Sequence, residues 1–179
     1  MTVPLTVPVL GTTPLAETNP KPAGRESVAS ILVRSKTQLI EDWLRRTKGT
    51  PELNHLELSD EQRTGHLPKL VDDIVTRLTK ASIPTTDGDA IASPAAVEHG
   101  NLRRTQGYSS AMLIHESRIL QVTIFGTLHE NLGVLDFNLL LPDVMVIADE
   151  VDSQLTQTME SFTNGASKSA KAHLVKPKG

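Results

Sequence analysis

Leu67, Leu70, Val71, Ile74, Val75 and Leu78 recur at the three- and four-residue steps of an α-helix, and so place one apolar stripe on one side of it. A second stripe runs through Leu32, Leu39, Ile40, Trp43 and Leu44, with Val28 beside it. Stripes of this width are buried only against other helices. Aromatic residues make up 3% of the 179 residues, so the core they build is aliphatic. The patterning predicts an all-α fold: a compact bundle of about five helices, in a four-helix-bundle or globin-like variant.

Boundary signals divide the chain. Residues 1–23 alternate Thr, Val, Leu and Pro and read as an extended arm or linker, whose Val3, Leu5, Val7, Val9 and Leu10 could dock on the domain or a partner. The helical domain spans 24–163. Its first helix covers 25–48 and stops at Gly49 and Pro51. The second opens at Ser59 with the capping box Ser59-Asp60-Glu61-Gln62. Pro68 predicts a kink near Gly65–Leu67, or two short helices meeting there. Ile83-Pro84 and Asp87-Gly88-Asp89 mark a loop. Ser93-Pro94 begins a third helix over 94–106, which ends at Gly107. Ser109 caps a fourth, 110–131, and a fifth runs from about Asp136 to Phe162 with a bend or false start at Pro142. In that last helix Val144, Ala148, Val151, Leu155, Thr158 and Phe162 keep heptad spacing. The spacing fits either an ordinary bundle helix or a dimer seam along Val144, Ala148, Val151, Leu155 and Phe162. Residues 164–179, with Lys168, Lys171, Lys176 and Lys178, read as a basic solvated tail or linker.

Bulk properties exclude several function classes. A net charge of −3 does not supply the broad cationic face that nucleic acid requires. There is no cysteine, hence no disulfide, thiol nucleophile or thiolate metal site, which is compatible with a cytoplasmic location. No apolar run is long enough for a membrane span, and the N-terminus lacks the basic region of a signal peptide. Phosphate loops, the GxSxG elbow and the dinucleotide fingerprint are all missing.

The polar residues of the fourth helix are the candidates for chemistry. His115 and His129 share a face but lie fourteen residues apart, about 21 Å along a helix, too far for one metal ion. A metal would need ligands from different helices, such as His66, His99 or Glu116, and without a ligand motif the sequence predicts neither metal nor cofactor. His115-Glu116-Ser117-Arg118 partly matches a histidine-kinase phosphoacceptor box, which makes His115 phosphotransfer an alternative function. The usual proline does not follow, and Ser117 stands where that box has an apolar residue. Glu116 falls beside the apolar stripe of Leu113, Leu120 and Ile124, where a carboxylate needs a partner. Arg103, Arg104 or Tyr108 could provide it, in a polar clasp between the third and fourth helices. Asp72-Asp73 reads as the solvated edge of the second helix.

Over residues 26–162 the chain resembles the N-terminal domain of RsbRD-type RsbT co-antagonists, a family also fused to histidine kinases and PucR-type regulators. The resemblance rests on Trp43-Leu44, on Leu67-Pro68-Lys69-Leu70, and on His99-Gly100, Arg103 or Arg104, Gln106-Gly107-Tyr108-Ser109, Leu113 and Glu116. Family members often carry an aromatic where this chain has His115. The resemblance implies a non-catalytic sensory or regulatory input domain of a bacterial signalling protein. Such a domain relays a signal by helix repacking to an output domain or partner: a kinase, a STAS domain or a transcription regulator. A homodimer and a small apolar ligand between helices fit that picture; a purely structural dimerising adaptor is the other alternative.

Overall fold

The computed structural model describes residues 25–80 and 92–174, with side chains through Gly165. The Pro-rich arm, the loop around Ile83-Pro84 and Asp87-Gly88-Asp89, and Lys176 and Lys178 lie outside the described residues, as do the side chains of Lys168 and Lys171. Seven α-helices and no strand are found among the described residues: α1 (Val28–Lys48), α2 (Pro51–Asn54), α3 (Asp60–Thr64), α4 (Leu67–Lys80), α5 (Pro94–Thr105), α6 (Ser110–Glu130) and α7 (Phe137–Leu174).

Serine side chains open four of these helices. Ser27, Ser59, Ser93 and Ser109 each accept a hydrogen bond from the backbone N–H three residues on, satisfying a donor that has no intrahelical partner. At Ser59 the predicted capping box is complete, with Gln62 reaching back to the Ser59 N–H. The break predicted near Gly65–Leu67 separates α3 from α4. It leaves Pro68 in the first turn of α4, where its missing N–H costs no hydrogen bond.

Two expectations are corrected, and one choice between alternatives is narrowed. Pro51 ends the reach of α1 but also starts α2, a single turn too short to carry a periodic pattern. The last helix does not stop at Phe162: α7 runs on to Leu174, through what the sequence suggested was a tail. The apolar stripe ends at Phe162, while the alanines and lysines beyond it retain good intrinsic helix propensity. The heptad residues, finally, face the chain's own core. Val151 is buried in it, Val144 and Phe162 pack against it, and Ala148 and Leu155 are half-buried. Of the two alternatives, this arrangement favours an ordinary bundle helix.

α7 packs against α5, α4 and α6, and α1 lies between α6 and α4. Trp43, Ile31, Leu32 and Leu39 of α1 meet Val71 and Ile74 of α4, Leu113 and Ile124 of α6, and Ile147 of α7 in one core. The chain before α1 is tied to the α6–α7 connection, since Glu26 N–H donates to Val134 O (2.8 Å) and Asp136 N–H to Glu26 O (3.1 Å). Apolar side chains left in solvent include Phe137, Leu139, Leu141 and Met145 at the start of α7. No described helix is long and apolar enough to cross a membrane.

The α5–α7 contact is the tightest in backbone terms. A methyl group on Gly100 would collide with the Thr158 carbonyl and the Ser161 hydroxyl. The Thr158 hydroxyl crosses the same interface to donate to Ala96 O (3.1 Å). Glycine here permits the approach, and no rotamer change can clear the carbonyl. Gly100→Ala is therefore expected to destabilise the fold by about 1–3 kcal/mol, although alanine is the better helix former. Chemical denaturation checks this, and an unchanged or raised midpoint would rule out the close approach.

Candidate functional site

The most polar region of the interior sits where α3, α5 and α6 meet, and Gln106-Gly107-Tyr108-Ser109 builds it. Gly107 adopts a left-handed φ of +83°. Its N–H donates to Arg104 O and the Tyr108 N–H to Arg103 O, the pair of bonds that closes a helix in a Schellman motif. This reversal carries Tyr108 back over α5. The Arg103 guanidinium carbon lies 4.6 Å from the centre of the Tyr108 ring, a cation–π contact. Ser109 then caps α6, which aims Glu116 at the same point.

Glu116 and Arg103 form a bidentate pair inside the protein. Arg103 Nε donates to Oε2 (3.0 Å) and Nη2 to Oε1 (2.7 Å), and Tyr108 Oη adds a third bond to Oε1 (2.9 Å). Arg103 is fully buried and Glu116 is 3% exposed. The remaining Arg103 donors reach Gln62 O (3.1 Å), Arg63 O (2.7 Å) and the Gln106 side chain (2.7 Å). Burial pushes the Glu116 carboxyl up, but His99 and Arg103 outweigh it and hold the group below its ordinary range. Burial raises the Tyr108 hydroxyl, and the Glu116 charge adds to the shift, so it stays a proton donor.

Two histidines complete the cluster. His66 lies between α3 and α4 and His99 on α5, and their rings stack 3.9 Å apart at 16°. Trp43 meets His66 edge-on, with centroids 5.9 Å apart. His99 Nε2 is 3.4 Å from Glu116 Oε2. Burial, then the charges of His99 and Arg103, keep His66 well below its usual range and hence neutral. Nδ1 of each histidine is buried without a hydrogen-bond partner, as is Oε1 of Gln154. Together with Trp43 and Ser117 these groups line a cavity of about 30 Å³, room for a water or an ion.

The predicted clasp is thus present, made by Arg103 and Tyr108. Arg104 is not part of it, because its guanidinium lies against Gly165 of α7. His115 is half-buried on another side of α6, beside Glu52 and His55 in a surface groove. The sequence reading had named His66, His99 and Glu116 as separate possible ligands without placing them together. It missed Arg63 altogether. That side chain is 3% exposed and donates to the carbonyls of Leu53, Leu56 and Leu58, so it organises α2 and the turn after it. An arginine immediately after the capping box was the available signal. Asp73 is only half-buried but is not idle, since it accepts from the Ser93 hydroxyl at 2.6 Å.

Comparison with family models, curated proteins and solved structures finds no match to this chain.

Two outcomes follow from this geometry. Glu116→Gln strands the Arg103 charge and is expected to cost about 3–5 kcal/mol, whereas Arg103→Met combined with Glu116→Leu recovers most of the loss. A double variant as unstable as the single one would show that the pair contributes more than mutual neutralisation. His66 gives a pH signature. Its folded-state pKa lies below the unfolded value of 6.5, so the unfolded chain takes up the proton first as pH falls. Stability should therefore decline from pH 7 towards 5, by no more than about 1.4 kcal/mol per pH unit for one proton. His66→Gln should flatten that slope in urea titrations, and an unchanged slope would assign it to other groups.

Proposed function

We propose that this chain is a non-catalytic regulatory module: a cytoplasmic input domain that passes a change in helix packing to an output domain or partner such as a kinase, a STAS domain or a transcription regulator. The observation that carries the reading is the closure of the Arg103–Glu116–Tyr108 clasp. The residues through which the chain resembles RsbRD-type N-terminal domains spend their hydrogen bonds on one another, inside the bundle, around a space too small for a metabolite. An active site must leave such groups free to meet a substrate.

The clasp also stands in the right place to be read out. It joins α3, α5 and α6, and α5 is pressed backbone to backbone on α7 at Gly100. A signal that favours a second arrangement of the clasp shifts α5, and α7 carries the difference along its 38 residues. The proposal includes a homodimer, and the burial of Val151 in the chain's own core favours an interface away from the heptad stripe.

Hydrogen exchange on Tyr108→Phe tests the relay. This variant removes one bond to Glu116 and keeps the ring over Arg103. Faster exchange in α7 around Thr158–Gly165, with cooperative unfolding preserved, is the expected outcome. Changes confined to α5 and the start of α6 would mean that the clasp is structural only.

A further inference from the structure

The clasp and the two histidines differ in one respect. Arg103 has a partner for each donor, whereas the imidazoles keep buried nitrogens with none. A buried polar atom without a partner costs about 1–3 kcal/mol, and native interiors hold few of them. Here two such nitrogens occur on stacked rings beside a carboxylate, with the unpartnered Gln154 Oε1 lining the same cavity. One ligand atom from each of His66, His99 and Glu116 lies within 4.8 Å of the others, and all three residues are buried.

We propose that His66, His99 and Glu116 form a binding site for a divalent ion of the zinc class, with the fourth position opening on the cavity beside Gln154. Two imidazoles and one carboxylate are the nitrogen and oxygen donors that zinc and cobalt accept, and three protein ligands leave one position for water or a further oxygen. The ligands come from the α3–α4 junction, α5 and α6. Glu116 Oε2 receives one bond from Arg103 and faces His99 Nε2 at 3.4 Å, so an ion entering there replaces that contact.

Tetrahedral bonds of about 2.0–2.1 Å place donor atoms roughly 3.3 Å apart, so binding draws the three groups together and fans the stacked rings. The Arg103 charge opposes a cation and sets the affinity below that of a dedicated zinc centre. Gln154, which lines the cavity, is itself held by the Glu150 carboxylate, which accepts from its Nε2 (2.9 Å). The site does not depend on the regulatory reading: ion uptake and exchange in α7 are separate measurements, and either can fail alone.

The test is titration of the metal-free full chain with Co²⁺ and Zn²⁺ at neutral pH. One equivalent of Co²⁺ is expected to give the intense visible bands of four- or five-coordinate cobalt, and Zn²⁺ to displace it. His66→Gln and His99→Gln should each weaken uptake by at least about tenfold, while His55→Gln and His115→Gln at the surface leave it unchanged. No uptake by the unaltered chain overturns the site. So does uptake that survives both buried-histidine variants or is lost in the surface ones. Should the buried variants fail to fold, X-ray absorption of the zinc-loaded unaltered chain decides: two imidazole ligands are required, and fewer refute the assignment.

Discussion

Arg103 has five N–H donors, and the fold supplies five acceptors for them. Two are the oxygens of Glu116, two are the carbonyls of Gln62 and Arg63, and one is the side chain of Gln106. Taking a guanidinium and a carboxylate out of water costs several kcal/mol each, and their attraction repays this only when the geometry is complete. That requirement fixes α3, α5 and α6 together. The Gln62 and Arg63 carbonyls belong to the last turn of α3, where no intrahelical donor remains, so the cation both satisfies them and meets the negative end of a short helix dipole. A slide of any one of the three helices breaks at least one of these bonds.

Arg63 extends the same logic one layer outward. α2 and the turn after it contribute Leu53 to the core but carry no apolar stripe of their own. The Arg63 side chain satisfies the Leu53, Leu56 and Leu58 carbonyls there. The segment between α1 and α4 is thus held by two buried guanidinium groups acting on backbone carbonyls as well as by packing on α1. Both arginines depend on the register of α3, which the complete capping box at Ser59 secures.

This division explains what could be read from the sequence. Helices that pack through a stripe announce themselves by period: α1, α4 and α6 were legible from their leucines and isoleucines, and serine caps marked the starts of α3, α5 and α6, while the Ser27 cap of α1 went unread. α2 was not, because four residues held by a distant side chain show no period. The extent of α7 was misjudged for the converse reason, since its apolar stripe ends where contact with the core ends while the helix continues. At the site, Glu116 was conspicuous as a carboxylate in an apolar stripe, and its need for a partner pointed to Arg103, Arg104 or Tyr108. The choice between Arg103 and Arg104 was beyond reach, as neighbours on a helix point about 100° apart and only the packing of α5 on α7 decides which faces inward. The stacking of His66 on His99 joins residues from a helix junction and a helix interior, a proximity that no local pattern encodes.

The saturation of one half of the cluster bears on the incompleteness of the other. If Arg103 and Glu116 were loosely held, the bundle could relax around the histidines and lend them partners. The five-fold anchoring of Arg103 prevents this: α5 cannot rotate to turn His99 towards solvent without breaking bonds to α3 and α6, and Trp43, tied to Glu116 O at 3.4 Å, meets His66 edge-on. The rigid pair therefore maintains the unpaired nitrogens. Local cost sustained by surrounding structure is characteristic of sites that act on something, by binding it or by switching between states. Arg103 and Glu116 supply the constraint, and His66 and His99 hold the free valence that the constraint preserves.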